Sequence, residues 1–300
     1  MIGKLFAQIR VYRDIVRHPL NRGAFWRTTL RWLRWHVGSR LAAGPIAVPY
    51  INQTVLLLEP GMTGATQNHY CGLTEPADMG FLLHALRPGD LFLDVGANVG
   101  VYSLLAATAG ADVLAVEAYP PTAAKLGRNV RLNDFAERIE MIGAAVGEAS
   151  GEVRFTTDQG PMNHIVSDRE NSQTCTVPVR RLDDIVAGRP VRFMKIDVEG
   201  YEVPALRGAH ELLADPRLLA IVVELNGSGE RYGFSDREVV ELISARGFRP
   251  MRYDPETRNL DDNADGRPDG NNSLFVGDAL LLRDRLRTAP RFRLGNGCWL

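Results

Sequence analysis

The stretch LFLDVGANVGVYSLLAATAG, Leu91 to Gly110, constrains the fold more than any other in the chain. An apolar strand runs into an acid, then a glycine-rich corner, then a helix of small residues. Such a corner brings main chain close to a ligand. The alternation continues downstream. DVLAVEAYP reads as a strand stopped by Pro120 and Pro121, PTAAKLGRNVRLN as a helix and IEMIGAAVG as a third strand. EVRFTTDQGPMNHIVS leaves a strand for an irregular excursion. VRFMKIDVEG and LLAIVVELNG read as strands, EVPALRGAHELLAD and DREVVELISARGF as helices, and PMRYD with NSLFVG as a closing hairpin. Near-continuous apolar strands alternating with helices predict an α/β fold with a parallel sheet covered on both faces.

Composition fits one large domain with appendages: 300 residues, 45% hydrophobic and 24% charged. The organisation expected is a basic amphipathic helical segment over 1–44, lead-in strands and a helix over 45–90, the ligand-binding domain over 91–280 and a basic tail over 281–300. Cys71, Cys175 and Cys298 form no CxxC pair, which argues against a disulfide framework or structural zinc and fits a reducing compartment. No secretory signal and no apolar run of membrane-spanning length is visible, so the expected location is the cytoplasm, with peripheral contact at the inner membrane face left open.

Ligands of open α/β sheets sit beyond the carboxyl ends of the strands. Asp94, Gly96, Ala97, Asn98 and Gly100 lie at such an end, and Glu117 ends the next strand. An acid there accepts hydrogen bonds from ribose hydroxyls, so the unit reads as a nucleoside site. The alternative is a tight turn with an incidental acid. A dinucleotide needs G-x-G-x-x-G, but this corner is G-x-N-x-G and carries a side chain where pyrophosphate would crowd. Asp94 repels phosphate and suits a cationic sulfonium or ammonium. The preferred cofactor is S-adenosylmethionine.

With these residues the chain resembles the FkbM-type methyltransferases. The resemblance rests on DVGANVGVYS (94–103), VEAYP (116–120), NVRLND (129–134), AAVGEASGEVRF (144–155), LDDI (182–185), MKIDVEGYEVPALRGA (194–209) and VVELN (222–226). It implies a seven-stranded, Rossmann-like class I methyltransferase sheet, mostly parallel with an antiparallel last strand, and O-methylation. It also implies cofactor contacts at Asp94, Gly96, Asn98, Gly100, Glu117, the Ala144–Ala145 backbone and Asp197. Family members usually carry His after the acid of the fifth strand, where this chain has Asn226.

Methyl transfer to an alcohol needs alignment and a proton acceptor. The candidates are Asp197 and Glu199 at the end of the fourth strand, and His164 in the excursion. Glu199 reads equally as a helix cap, and a loop histidine is commonly solvated surface. Glu75 reads as a helix N-terminal acid or a contact to the cofactor's ammonium. Glu224 and Asn226 are expected to line the acceptor pocket, and Lys195 to pair with a neighbouring acid. DDNADGRPDGNN (261–272) has EF-hand-like offsets but Asn272 at the twelfth position, and reads as a polar hairpin loop. No metal site is expected.

The expected acceptor is a hydroxyl of a carbohydrate, such as a surface glycan or lipid-linked sugar, or of a natural product. The run of Asn/Asp-Pro-Pro-aromatic common in base N-methylation is absent, so nucleic acid is disfavoured. A nucleic-acid methyltransferase and a non-catalytic nucleoside-binding protein remain as alternatives. Residues 1–40 hold nine Lys/Arg against Asp14 alone. In FWRTTLRWLRWHV, Trp26, Leu30, Leu33 and Val37 form an apolar stripe beside Arg27, Arg31 and Arg34. It reads first as a helix docked on the body by that stripe with its arginines solvated. The competing reading lays residues 24–40 on an anionic membrane.

Overall fold

The computed structural model describes residues 2–167, 171–263 and 271–300, with side chains beyond residue 8 except that of 161. Two helices open the chain, α1 (Ile2–Arg17) and α2 (Phe25–Leu41). A hairpin of β1 (Ile46–Pro49) and β2 (Val55–Leu58) and helices α3 (Thr63–Cys71) and α4 (Pro76–Ala85) follow. The chain then runs through β3 (Leu91–Val95), α5 (Val101–Thr108), β4 (Asp112–Val116), α6 (Pro120–Leu132) and β5 (Ile139–Ile142). Next come β6 (Ala145–Val146), β7 (Gly151–Thr156), β8 (Thr174–Arg180) and α7 (Leu182–Val186). The second half holds β9 (Val191–Ile196), α8 (Glu202–Arg207), α9 (His210–Ala214), β10 (Ala220–Glu224) and α10 (Asp236–Ser244). It ends with β11 (Arg249–Asp254), β12 (Asn259–Asp262), β13 (Asn272–Val276) and α11 (Ala279–Arg287).

The main sheet has the order β12-β11-β13-β10-β9-β3-β4-β5. The five strands from β10 to β5 are mutually parallel, and β13 enters antiparallel between β10 and β11. This is the mostly parallel class I sheet with an antiparallel last strand. It has eight strands, not the seven expected, because β12 adds antiparallel to β11 at the edge. Asp261 and Asp262 therefore sit in a strand, not in the predicted polar loop, while residues 264–270 of that stretch lie outside the described residues. Strand side chains alternate between two cores. Phe92, Val113, Phe193 and Val222 join the core shared with α4, α5 and α6, and Leu93, Leu114, Met194 and Ile221 join the one with α8 to α10.

The segment IEMIGAAVG divides between two sheets. β5 ends at Ile142, and β6 joins a separate three-stranded sheet of order β6-β8-β7. The run TCTVPVR forms β8 even though it contains Pro178, a residue that interior strands exclude. The structure accommodates Pro178 where β8 pairs only with β7; the β6 ladder begins at Val179.

Two asparagines of NVRLND brace the corner from α6. Asn129 Oδ1 accepts the Leu57 N–H at 2.8 Å, and its Nδ2 donates to the Val99 carbonyl at 2.8 Å. Asn133 exchanges both bonds with the main chain of Val55. These amides satisfy the open edge of β2, which otherwise has no partner on that side. The last residues also pack inward: Arg285 reaches Asp90 at 2.6 Å, and Phe292, Leu294 and Leu300 are buried. All three cysteines are free thiols.

α2 docks on the body, but not by the stripe expected. Thr28 and Trp35 are its buried residues, Trp35 meets the His69 ring of α3, and Arg31 donates to the Tyr70 carbonyl at 2.6 Å and to Asn21 Oδ1 at 3.0 Å. Arg31 is thus a docking contact and not a solvated charge. The stripe of Trp26, Leu30, Leu33 and Val37 faces solvent.

Replacing Asn129 with Leu should leave two main-chain groups unpaired and lower stability by about 2 kcal/mol or more. Denaturant melts with unchanged slope would check this, and an unchanged midpoint would mean the corner is held by something else.

Candidate active site

The carboxyl ends of β3 and β9 meet in the middle of the sheet, where strand order reverses. Gly96 has φ +78°, and a Cβ there would stand 1.8 Å from the Asp197 carbonyl oxygen, so only glycine fits. The Gly96 and Ala97 N–H groups both donate to the Val116 carbonyl at 2.9 Å. Asn98 has φ +50°, which aims its N–H at Glu117 Oε2, 2.9 Å away. Glu117 Oε1 accepts from the Tyr119 N–H at 2.9 Å. The carboxylate is thereby fixed by two main-chain donors and keeps lone pairs facing the cleft. Burial pushes its pKa up to about 7 despite those donors. Asp94 is buried and accepts from Ser103 Oγ at 2.6 Å, and burial pushes it up to about 6.

At the end of β9, Lys195 Nζ lies 2.6 Å from Asp197 Oδ2 and 4.6 Å above the Tyr102 ring. The Tyr102 hydroxyl donates to Glu75. Desolvation opposes the charge on Asp197, but Lys195 holds its carboxyl below the usual range. Glu199 stands at φ +54°, a costly backbone conformation for a side chain of this size. The expectation that it caps a helix is not met. The N-cap position of α8 is Tyr201, without a side-chain cap bond, and Glu202 in the first turn accepts from the Val198 and Gly200 N–H groups of the preceding turn at 3.1 and 3.2 Å. Burial and the charge of Asp197 raise Glu199 to about 7. Burial, then Asp197 and Glu199, raise Glu224 to about 9. Carboxylate oxygens of Asp197, Glu199 and Glu224 lie within 4.8 Å of one another. Glu224 Oε2 is buried without a hydrogen-bond partner among the described residues.

Two adjoining clefts open here. One has a cavity volume of about 230 Å³ and is bordered by Glu117, Ala144, Val146, Glu199, Tyr201 and Glu224. The other has a cavity volume of about 300 Å³ and is bordered by Glu75, Asp94, Tyr102, Lys195, Met62 and Asn68. Gly96, Asn98, Tyr119, Asn163 and Asp197 line both. The structure thus brings together Glu75, Asp94, Gly96, Asn98, Glu117, Ala144, Asp197 and Glu199. Gly100 starts α5 in a left-handed conformation, and Ala145 turns into the core beside Phe155. His164 is not brought to the cluster. It is buried, not solvated, with Nδ1 2.7 Å from the Met162 carbonyl, and it borders neither cleft. Its neighbours Asn163 and Ile165 do. Sequence reasoning missed Tyr102, Tyr119 and Tyr201, for which a motif spacing gives no signal.

Charged groups around the clefts are mostly acids, with Lys125 and Lys195 the cations among the described lining residues. The raised pKa values of Glu117, Glu199 and Glu224 come first from burial and then from the mutual repulsion of neighbouring acids. A ligand with a sulfonium and an ammonium relieves it, whereas a pyrophosphate aggravates it. The profile of the family described as Methyltransferase FkbM domain matches residues 94–250, just over half the chain. The chain belongs to this family.

As an FkbM-family methyltransferase, it uses S-adenosylmethionine as its methyl donor, and the charge of the clefts fits that cofactor. It is 29% identical over 210 residues to the 31-O-demethyl-FK506 methyltransferase FkbM of Streptomyces tacrolimicus, covering 57% of this chain and 78% of that one. Similarity to the AMB antimetabolite synthetase AmbE of Pseudomonas aeruginosa is 26% over 207 residues, 54% of this chain but 10% of that protein. Among solved structures, the O-methyltransferase of Bacillus cereus in complex with SAH is 15% identical with a TM-score of 0.40, covering 71% of this chain and 87% of that one. Aeropyrum pernix fibrillarin with bound S-adenosyl-L-methionine is 13% identical with a TM-score of 0.35, over 65% and 71% of the two chains. The fold assignment for the FkbM-family chain rests on its own strand order.

The charge cluster sets a pH signature. Glu224 titrates near 4.5 when unfolded and near 9 when folded, so folding takes up a proton between those values. That contribution to stability is complete below the unfolded value and is lost as pH rises through the folded one. Glu224→Gln removes the titration, so its melting temperature should gain on the parent steadily from about pH 5 to pH 9. A constant difference across that range would refute the protonated state of Glu224.

Proposed function

We propose that this FkbM-family methyltransferase transfers a methyl group to a hydroxyl of a small carbohydrate or natural-product acceptor. The observation that carries this reading is the Asp197, Glu199 and Glu224 cluster at the sheet's carboxyl edge, with oxygens within 4.8 Å of one another. An attacking alcohol must give up its proton, and a carboxyl titrating near 7, as Glu199 does, is matched to that task at neutral pH. The surplus of acids around both clefts speaks against a polyanionic acceptor. The relative from Streptomyces tacrolimicus, named for a 31-O-demethyl substrate, supports oxygen as the acceptor atom.

Bound S-adenosylmethionine supplies a methyl group on a sulfonium, open to in-line displacement by the acceptor oxygen. Glu117 would accept from the ribose hydroxyls through the lone pairs left by its main-chain bonds. Gly96 to Asn98 and Ala144 would border the nucleoside. Asp94, Glu75 and Asp197 would face the cationic end. Lys195 holds Asp197 in place, and Glu199 takes the acceptor proton. Asp197 is the weaker base because Lys195 keeps it ionised. The buried flank of Glu224 holds a proton and so adds no second negative charge to repel the ionised acceptor.

Removing a charge-assisted bond of this kind costs about 1.5–3 kcal/mol, so Glu117→Ala should weaken S-adenosylmethionine binding about ten- to a hundredfold. Calorimetry reads this directly, and an unchanged affinity, or NAD bound comparably by the parent, would sink the cofactor geometry.

Glu199→Gln should fold as the parent does, lose turnover by about a factor of a hundred, and lose the activity limb near pH 7. Asp197→Asn should behave differently. It strands the buried Lys195 ammonium, so stability should fall by about 3 kcal/mol along with activity. Full turnover in Glu199→Gln would remove Glu199 as the base.

A further inference from the structure

The exposed face of α2 has no partner among the described residues. Trp26 is 79% exposed, Leu30 48%, Leu33 47%, Val37 57% and Leu41 80%. At the helical repeat these five lie in one line along the helix, over a length of about 22 Å. They point away from the body, since Thr28, Arg31 and Trp35 make the docking face. Exposed Arg27 and Arg34 flank the line on one side and exposed Arg40 on the other. α1 adds exposed Ile9, Val11, Arg10, Arg13 and Arg17. Its one acid, Asp14, already pairs with Arg13 at 3.5 Å.

We propose that this face docks on an anionic lipid bilayer, with Trp26, Leu30, Leu33, Val37 and Leu41 in the interface and Arg27, Arg34 and Arg40 on headgroup phosphates. An apolar line between cationic rims is the arrangement that a surface-lying helix presents to such a membrane. Charge selects this occupant over two others. A second copy meeting this face about a twofold axis would set arginine rims against one another with no acid to pair them. A nucleic acid would use the arginines but leave the aliphatic side chains Leu30, Leu33 and Val37 without contacts. α3, on which α2 rests, also lines the larger cleft through Gly64, Ala65 and Asn68, so α2 and α3 stand between the exposed face and the site. The inference does not depend on the chemistry of the acceptor.

Co-sedimentation of the full chain with sucrose-loaded vesicles tests it, using phosphatidylcholine alone and phosphatidylcholine mixed with phosphatidylglycerol. The parent should pellet with the anionic vesicles and be released by high salt. Each arginine at such a surface contributes about fivefold, so Arg27→Gln with Arg34→Gln should weaken partitioning about twentyfold. Trp26→Ser with Leu33→Ser and Val37→Ser should weaken it about tenfold or more. These side chains are exposed, so melting temperature and S-adenosylmethionine affinity should stay at the parent's values. Three results would overturn the proposal: no pelleting of the parent, pelleting of the serine variant equal to the parent's, or tighter binding of a single-stranded oligonucleotide than of vesicles. A parent dimer in sedimentation velocity that the serine variant abolishes would assign the face to a second copy instead.

Discussion

Among the described residues, Lys195 is the one ammonium buried against the acids that gather at the carboxyl edge of the sheet. Desolvation alone would discharge it, but Asp197, Glu75 and Asp94 together hold its pKa above the ordinary lysine value. Its 2.6 Å contact to Asp197 orients that carboxylate, and its position over the Tyr102 ring ties β9 to α5. Without it, Asp94, Asp197, Glu75 and Glu224 would face one another in a desolvated space with nothing to offset their repulsion. Glu117, Glu199 and Glu224 are raised first by burial and then by the neighbouring acids, and that residual repulsion makes the clefts receptive to a cation.

Main-chain geometry supports that electrostatic arrangement from two sides. Gly96 sits against the Asp197 carbonyl, and a Cβ at Gly200 would stand 2.5 Å from the Ser228 carbonyl. The first sets the spacing between the corner and the end of β9, and the second the spacing between the turn after β9 and the segment after β10. Asn129 braces the corner from α6, so a side-chain amide far from any reacting atom helps keep the Asn98 N–H on Glu117. The departure of the chain after Ile142 into the smaller sheet carries Ala144, Val146 and Phe155 to the wall of the first cleft. The site is therefore built at the junction of two sheets rather than on one.

Much of this is legible in the sequence. The strands of the parallel sheet read as apolar runs, and the corner with Glu117 read as a nucleoside site because local spacing encodes both. What stayed hidden depended on contacts distant in sequence. β8 forms despite Pro178, whose missing donor matters only if a neighbour needs it, and here none does. Glu199 takes a left-handed conformation instead of capping α8, and Glu202 ties down the turn before that helix. His164 is buried behind the cleft wall although its loop neighbours line the opening.

The sequence by itself determined the fold class, the family and the acids available for catalysis, since periodicity, glycine placement and motif order are local properties. The tertiary structure alone decided which acid stays ionised, which holds a proton and which face of α2 is left open. Those outcomes depend on burial and on partners brought from elsewhere in the chain: Lys195 beside Asp197, Asp197 beside Glu224, and Tyr70 and Asn21 beneath Arg31. A pattern of residues along one helix or strand contains no record of such neighbours.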